Sequence, residues 1–167
     1  MAPGQTPAPT PQIQVNESPC GEKAPKPPKI SRRATYQNMP FQPGETATYD
    51  VSYMGVHAGW GKLMVDPPQI FKGIWHRVFK AELQTGEWYE AVFRLEDSVY
   101  ALSRPWDFGV SKFYIEQDEG NLFSKRYVRK KWIEFDHDNC KSFEREQKPN
   151  KPEKRREFEF FRGYNDA

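Results

Sequence analysis

Gly44-Glu-Thr-Ala-Thr-Tyr-Asp-Val-Ser-Tyr53, then Met54-Gly55, then Val56-His-Ala-Gly-Trp-Gly-Lys-Leu-Met-Val65 is the stretch on which the fold class turns. Tyr49, Val51 and Tyr53 fall on one side of an extended chain, and Thr48, Asp50 and Ser52 fall on the other. That period of two is the mark of a strand whose faces meet different surroundings. The glycine between the two alternating runs supplies a tight reversal, so the pair reads as an antiparallel hairpin. Gly55, Gly59 and Gly61 are expected at a turn and a bulge, with sheet curvature as the reason.

Downstream segments repeat the pattern. Ile74 to Leu83 sets Trp75, Phe79, Ala81 and Leu83 against His76, Val78 and Lys80, after a turn expected from Asp66-Pro67-Pro68 through Gly73. Between Gly86 and Phe93, the i, i+4 spacing of Trp88 and Val92 predicts one short helix at an end of the sheet. Arg94 to Leu102, Phe108 to Glu116 and Leu122 to Phe135 resume strands, with a hairpin turn expected at Asp118-Glu119-Gly120. A last hairpin is expected from Cys140 to Glu146 and Glu157 to Arg162, across a polar loop from Gln147 to Arg156. Short turns between successive strands imply an all-β, mainly antiparallel fold. The expected form is a curved meander sheet, as a barrel or half-barrel with one short helix.

Composition divides the chain. Of fifteen prolines, ten lie at or before Pro43, and Ile13, Val15 and Ile30 stand isolated among them. Such a segment buries too little apolar surface to offset its ordering entropy, so residues 1–40 are expected to form a disordered, proline-rich tether. The domain is expected over 41–167. Hydrophobic residues make up 37% of the chain, a low share that the tether accounts for. Aromatic residues make up 15%, and their bulk favours half-buried pleated surfaces. No apolar run approaches the roughly eighteen residues that span a bilayer, and Met1-Ala2-Pro3-Gly4 has no signal-peptide character.

Gly44-Glu45, Tyr49-Asp50-Val51-Ser52-Tyr53, Gly55-Val56-His57-Ala58-Gly59, Leu95-Glu96-Asp97-Ser98, Glu119-Gly120 and Phe135-Asp136 together resemble the uncharacterised exported bacterial family DUF3108, from about Gly44 onward. The resemblance implies a domain of the periplasm or outer envelope of a Gram-negative bacterium, with an export signal absent from the residues given. In that family the segment resembling Tyr164-Asn165-Asp166-Ala167 is followed by further strands, so the domain is expected to be incomplete at its C-terminus. The family has no established activity, and no functional residue carries over from it.

The residues themselves offer several candidates. Trp60, Trp88, Trp106 and Phe108 are candidates to line a groove for a lipid chain or to stack on sugar rings, with core filling as the plainer role. Thirteen Lys and Arg against eight Asp and Glu between 125 and 162 nominate Arg129, Lys130, Lys131, Arg155 and Arg156 as an anionic-surface site. A solvated strand face of mixed charge is the plainer reading. Cys20 and Cys140 are the candidate disulfide in an oxidising compartment. Asp136-His137-Asp138-Asn139-Cys140 has ligand residue types but no second cluster, so no metal is expected and no cofactor is implied.

Glu96 and Asp97 are strand neighbours that point to opposite faces and would not converge on one bond. No Gly-x-Ser-x-Gly elbow, phosphate loop or nucleic-acid module is present. The expectation is therefore a non-catalytic envelope domain. It would bind either a protein partner that completes its sheet, by sheet-edge association, or an amphiphilic envelope component. The alternatives are a cell-wall glycan or lipid hydrolase using Glu96, Asp97 or His137, and a purely structural subunit of a larger envelope assembly.

Overall fold

A computed structural model of the chain describes residues 28–90, 92–121 and 124–160. Among them a 3-10 turn at Arg33–Tyr36 precedes β1 (Thr46–Tyr53), β2 (Val56–Phe71), β3 (Ile74–Thr85), the single-turn helix α1 (Glu87–Glu90), β4 (Phe93–Ser103), β5 (Val110–Asn121), β6 (Ser124–Asp136), β7 (Lys141–Gln147) and β8 (Lys154–Glu159). Every strand pairs antiparallel with its sequence neighbour in the order β1 to β8. The meander is therefore an open sheet with β1 and β8 as its two margins, not a closed barrel.

Turn chemistry accounts for the strand lengths. Met54 and Gly55 both sit at positive φ, as do Lys72 and Gly73. Each pair is a two-residue reversal of the kind that matches strand twist. The β2–β3 turn is thus Lys72-Gly73 alone, and the expected turn at Asp66-Pro67-Pro68 is instead a bulge within β2, where the register shifts between Asp66 and Gln69. Proline has no N–H to donate, so a bulge is where a strand tolerates it. Likewise, Asp118 and Glu119 do not turn but pair with Val128 and Tyr127. The ladder runs on to Asn121 opposite Ser124, and residues 122–123 lie outside the described residues. The final strand, β8, begins before the expected Glu157, and the loop ahead of it is shorter accordingly.

The bulge explains how the N-terminal segment docks. Tyr36 Oη accepts the Val78 N–H at 2.8 Å and donates to the Asp66 carbonyl at 3.1 Å, so one phenol serves the backbone groups at the break in the ladder. Burial, first of all, holds this phenol above its ordinary pKa. Thr35 is fully buried, Tyr36 is 4% exposed, and Phe41 meets Tyr36 and Phe79 edge to face. Residues 31–40, which composition assigns to the tether, therefore pack on β3 through Thr35 and Tyr36, together with Phe41 of the expected domain; Cys20 and the rest of 1–27 lie outside the described residues.

Register sorts the two faces. One row runs Ala47, Leu63, Ala81, Val99, Ile115 and the next Val65, Phe79, Ala101, Phe113, Ile133, each residue directly across from its neighbour. This apolar face becomes charged beyond β5, at Lys131, Glu144, Glu146, Lys154 and Arg156. The opposite face carries Thr46, Met64, Lys80, Tyr100, Tyr114, Trp132, Arg145 and Arg155 in a single row through all eight strands.

Candidate functional surface

The first strand of the hairpin that decides the fold class is, with β8, among the least covered parts of the sheet. All eight residues of β1 are exposed. On the apolar face Tyr49 and Val51 sit beside Leu63 and Leu83, and these four are 46–55% exposed. Among the described residues the elements that pack on the strands are the 3-10 turn, against β3, and α1, against β2 and β4. Among the described residues no second layer covers the apolar rows from β1 to β5 over most of their length, and their members range from half-buried at Val99 and Phe113 to exposed at Leu63 and Leu83, an arrangement that marks an interaction surface in a folded chain.

Local geometry holds this flank open but in register. The carbonyl of Ala58, the extra residue where the β1–β2 register shifts, accepts the Gly86 N–H at 2.7 Å. A Cβ on Gly59 would collide with the Gln84 carbonyl oxygen, and one on Gly86 would press on His57 and Ala58. The expected bulge is present at Ala58, next to Gly59, and close backbone approach to Gln84, rather than curvature alone, is what Gly59 serves.

The four expected groove residues do not share a groove. Trp60 lies on the polar face of β2, opposite Asp50 and Gln84. Trp88, on α1, is 84% exposed. Trp106 and Phe108 sit in the β4–β5 connection, where the Arg104 guanidinium lies 5.6 Å from the Trp106 ring centre and that of Arg77 lies 4.5 Å from Phe108. A ring row that sequence reading passed over is on the polar face: Trp132 is flanked by Tyr114 at 5.2 Å and by the Arg145 guanidinium at 4.5 Å. Tyr114 lies tilted against Trp132 and the Arg145 guanidinium lies over its ring, so the row is filled by its own side chains. Burial first, and then its bond to Glu116, push the Tyr114 phenol up to about 12.

The basic candidates are divided between faces and paired. Lys130 and Arg155 lie on the polar face, Arg129, Lys131 and Arg156 on the other. Lys130 meets Glu116 at 2.7 Å, Lys131 meets Glu144 at 2.8 Å, and Arg155 meets Glu153 at 2.7 Å. Arg129 and Arg156 reach Glu146 and Glu144 at 4.0 and 3.9 Å. This is the cross-strand charge pattern of a solvated sheet.

The acid–base candidates are similarly dispersed. Glu96 pairs with Arg94 at 2.8 Å on the polar face, while Asp97 accepts from the Asp118 N–H and the Gln117 amide on the other. His137 donates to the Val110 carbonyl at 2.7 Å and stacks on Phe135, and burial first of all lowers its pKa. Cys140, 1% exposed and at positive φ, is disulfide-bonded. Among the described residues no three His, Cys, Asp or Glu side chains gather to hold a metal ion, and no helix is long and apolar enough to cross a membrane.

Folding does create one nucleophile–base pair that spacing conceals. His76 Nδ1 bonds the Ile74 carbonyl at 2.9 Å, which leaves Nε2 to accept from Ser111 Oγ at 2.8 Å. With 2% and 6% exposure, the two side chains present no reacting atom to a substrate. The contact satisfies a buried imidazole, whose pKa burial, first of all, lowers.

No family model matches the chain, and neither a curated protein nor a solved structure does. The DUF3108 resemblance is carried by the quoted residues alone.

Proposed function

We propose that the chain is a non-catalytic binding domain of the bacterial envelope that receives an amphiphilic component on the apolar face of its open sheet. The observation that carries this reading is the bare apolar surface around Tyr49, Val51, Leu63 and Leu83, all about half exposed on one face. Burying such surface contributes about 25 cal/mol per Å² on transfer from water. The dispersal of Glu96, Asp97 and His137 supports a binding role over a hydrolytic one. Placement in the envelope rests on the family resemblance.

The test is titration of the purified chain with a neutral single-chain amphiphile, 1-decanol, followed by calorimetry. Binding that is lost in Leu63→Asp and Leu83→Asp, with folding retained, supports the reading. Undiminished binding in both variants, or none in the parent chain, overturns it.

A second reading, addition of a partner's strand to β1, is favoured by the contrast between the margins. β1 carries one charge, Asp50, and no Lys or Pro, whereas β8 is Lys-Arg-Arg-Glu-Phe-Glu. Charged margins discourage edge pairing and uncharged ones permit it. A Val51→Lys variant that still captures its partner protein from envelope extract would remove this second reading.

A further inference from the structure

Arg77 interrupts the apolar face. It lies in regular register beside Phe79, opposite Ser103, and so projects from the same side of the sheet as Phe79, Ala81 and Leu83. Its side chain is buried, with 4% exposure. Nε donates to the Thr35 carbonyl at 2.8 Å and one terminal nitrogen, Nη2, donates to the Pro105 carbonyl at 2.6 Å. The other, Nη1, is buried with no hydrogen-bond partner.

A comparison within the chain brings out what is missing. Arg94 also has a buried nitrogen without a partner, Nε, but its charge is matched by Glu96 at 2.8 Å and Glu90 at 3.4 Å. Arg77 forms no ion pair with a described residue, and the titratable group acting on it is Tyr36, a phenol that burial keeps neutral. Arginine does not shed its proton in proteins, so the charge stays. A buried cation held only by carbonyl dipoles and a ring face is unusual, because removing a charge from water is costly unless an opposite charge takes the water's place.

The ring that covers it is Phe108, whose centre lies 4.5 Å from the guanidinium carbon. Phe108 is held at a φ of 58°, in the left-handed region, and is 47% exposed. A bulky residue there is strained, and strain of this kind gathers at clamps and switches. The Phe108 backbone is independently secured: its carbonyl accepts from Ser103 Oγ at 2.9 Å, and the following N–H, of Gly109, donates to Asp107 at 3.0 Å. The loop is thus held through its backbone and not through the ring.

We infer that Arg77 is the head-group site of the apolar face, taking the carboxylate of a single-chain amphiphile on Nη1 when the Phe108 ring moves aside. The tail would run from Arg77 past Ala101 and Phe113, clear of Phe79 under the Phe41 ring, to Ala81, Val99 and Ile115, positions that the register places in succession on the same face. A carboxylate suits the site because one corner of the guanidinium lacks a hydrogen-bond partner among the described residues, and that corner serves one oxygen. This rests on the proposed binding of an amphiphile to the face and adds the charge of its head group.

The experiment compares decanoate, 1-decanol and acetate on the full chain by isothermal titration calorimetry. Decanoate is expected to bind, one molecule per chain, about tenfold more tightly than decanol, the gain of one charge-assisted hydrogen bond; acetate should not bind in the same concentration range. Arg77→Gln should erase the preference for decanoate. Phe108→Gly, which relieves the strained φ and uncovers Nη1, should strengthen decanoate binding and leave decanol unchanged. It keeps the test decisive if Arg77→Gln does not fold. Equal affinities for decanoate and decanol in the parent chain and in Phe108→Gly would overturn the head-group site while leaving the face as a binding surface. Binding of neither would overturn the amphiphile reading as well, and acetate binding as tightly as decanoate would reduce the site to an anion site without a tail.

Discussion

β3 and β1 are both antiparallel neighbours of β2, yet their surroundings are opposite. At the N-terminal end of β3, His76, Arg77 and Val78 are buried beside the 3-10 turn, and the bulge at Pro67-Pro68 opposite them is bridged by Tyr36. Along β1 every side chain is exposed, none of them buried. One end of the sheet is thus held by buried polar contacts that require particular partners. The flank is held by ladder hydrogen bonds, close glycine packing and exposed contacts such as Tyr89 Oη to the Tyr53 carbonyl at 3.4 Å. The difference teaches that this domain's order is anchored locally, which leaves its apolar face free for something else.

The largest way to break the comparison is at the anchor. Tyr36→Ala removes the ring that meets Phe41 and the hydroxyl that serves Val78 and Asp66, and should lower unfolding free energy by about 3–5 kcal/mol in chemical denaturation. Tyr36→Phe should cost about 1–3 kcal/mol, the penalty for leaving buried backbone groups unserved. Gly59→Ala tests the flank's own contribution. The added methyl group must displace the Gln84 carbonyl, for about 1–3 kcal/mol by overpacking, with exchange protection lost first in β1 and β2.

Acid sharpens the same contrast. Burial, first of all, lowers the folded pKa of His76 and of His137 below the ordinary value near 6.5. Below about pH 6.5 the unfolded chain takes up protons that the folded chain refuses, so stability is complete above that pH and falls as pH drops toward 5. His76→Gln should flatten this slope in thermal melts between pH 7.5 and 5.5, whereas changes on β1 should leave it intact. The smallest effect is expected at the exposed face: Leu83→Lys and Val51→Lys should each change stability by no more than about 0.5 kcal/mol. A loss several times larger would mean that the flank is covered after all.

The strands, their order and the division of apolar from polar sides were legible because alternation is a local property of the chain. Glycine at Gly55 and Gly73 marked two reversals for the same reason, and α1 fell where its spacing placed it. The turn mistaken at Asp66-Pro67-Pro68 shows the limit: a proline pair reads alike in a turn and in a bulge, and only the pairing of Asp66 with Val78 and Gln69 with His76 distinguishes them. Arg77 stood in plain view as a charge at an apolar-face position, but nothing in the sequence told whether its partner would be a carboxylate or a carbonyl.

By itself, then, the chain's pattern determined an antiparallel meander with one apolar side, since side-chain direction in a strand follows position alone. Only the tertiary structure decided that, among the described residues, the margins stay unpaired and Arg77 is buried without an opposing charge, that Tyr36 joins the domain, and that His76 meets Ser111 across thirty-five positions. These depend on which distant residues come within hydrogen-bond reach, a matter of packing that no local spacing encodes.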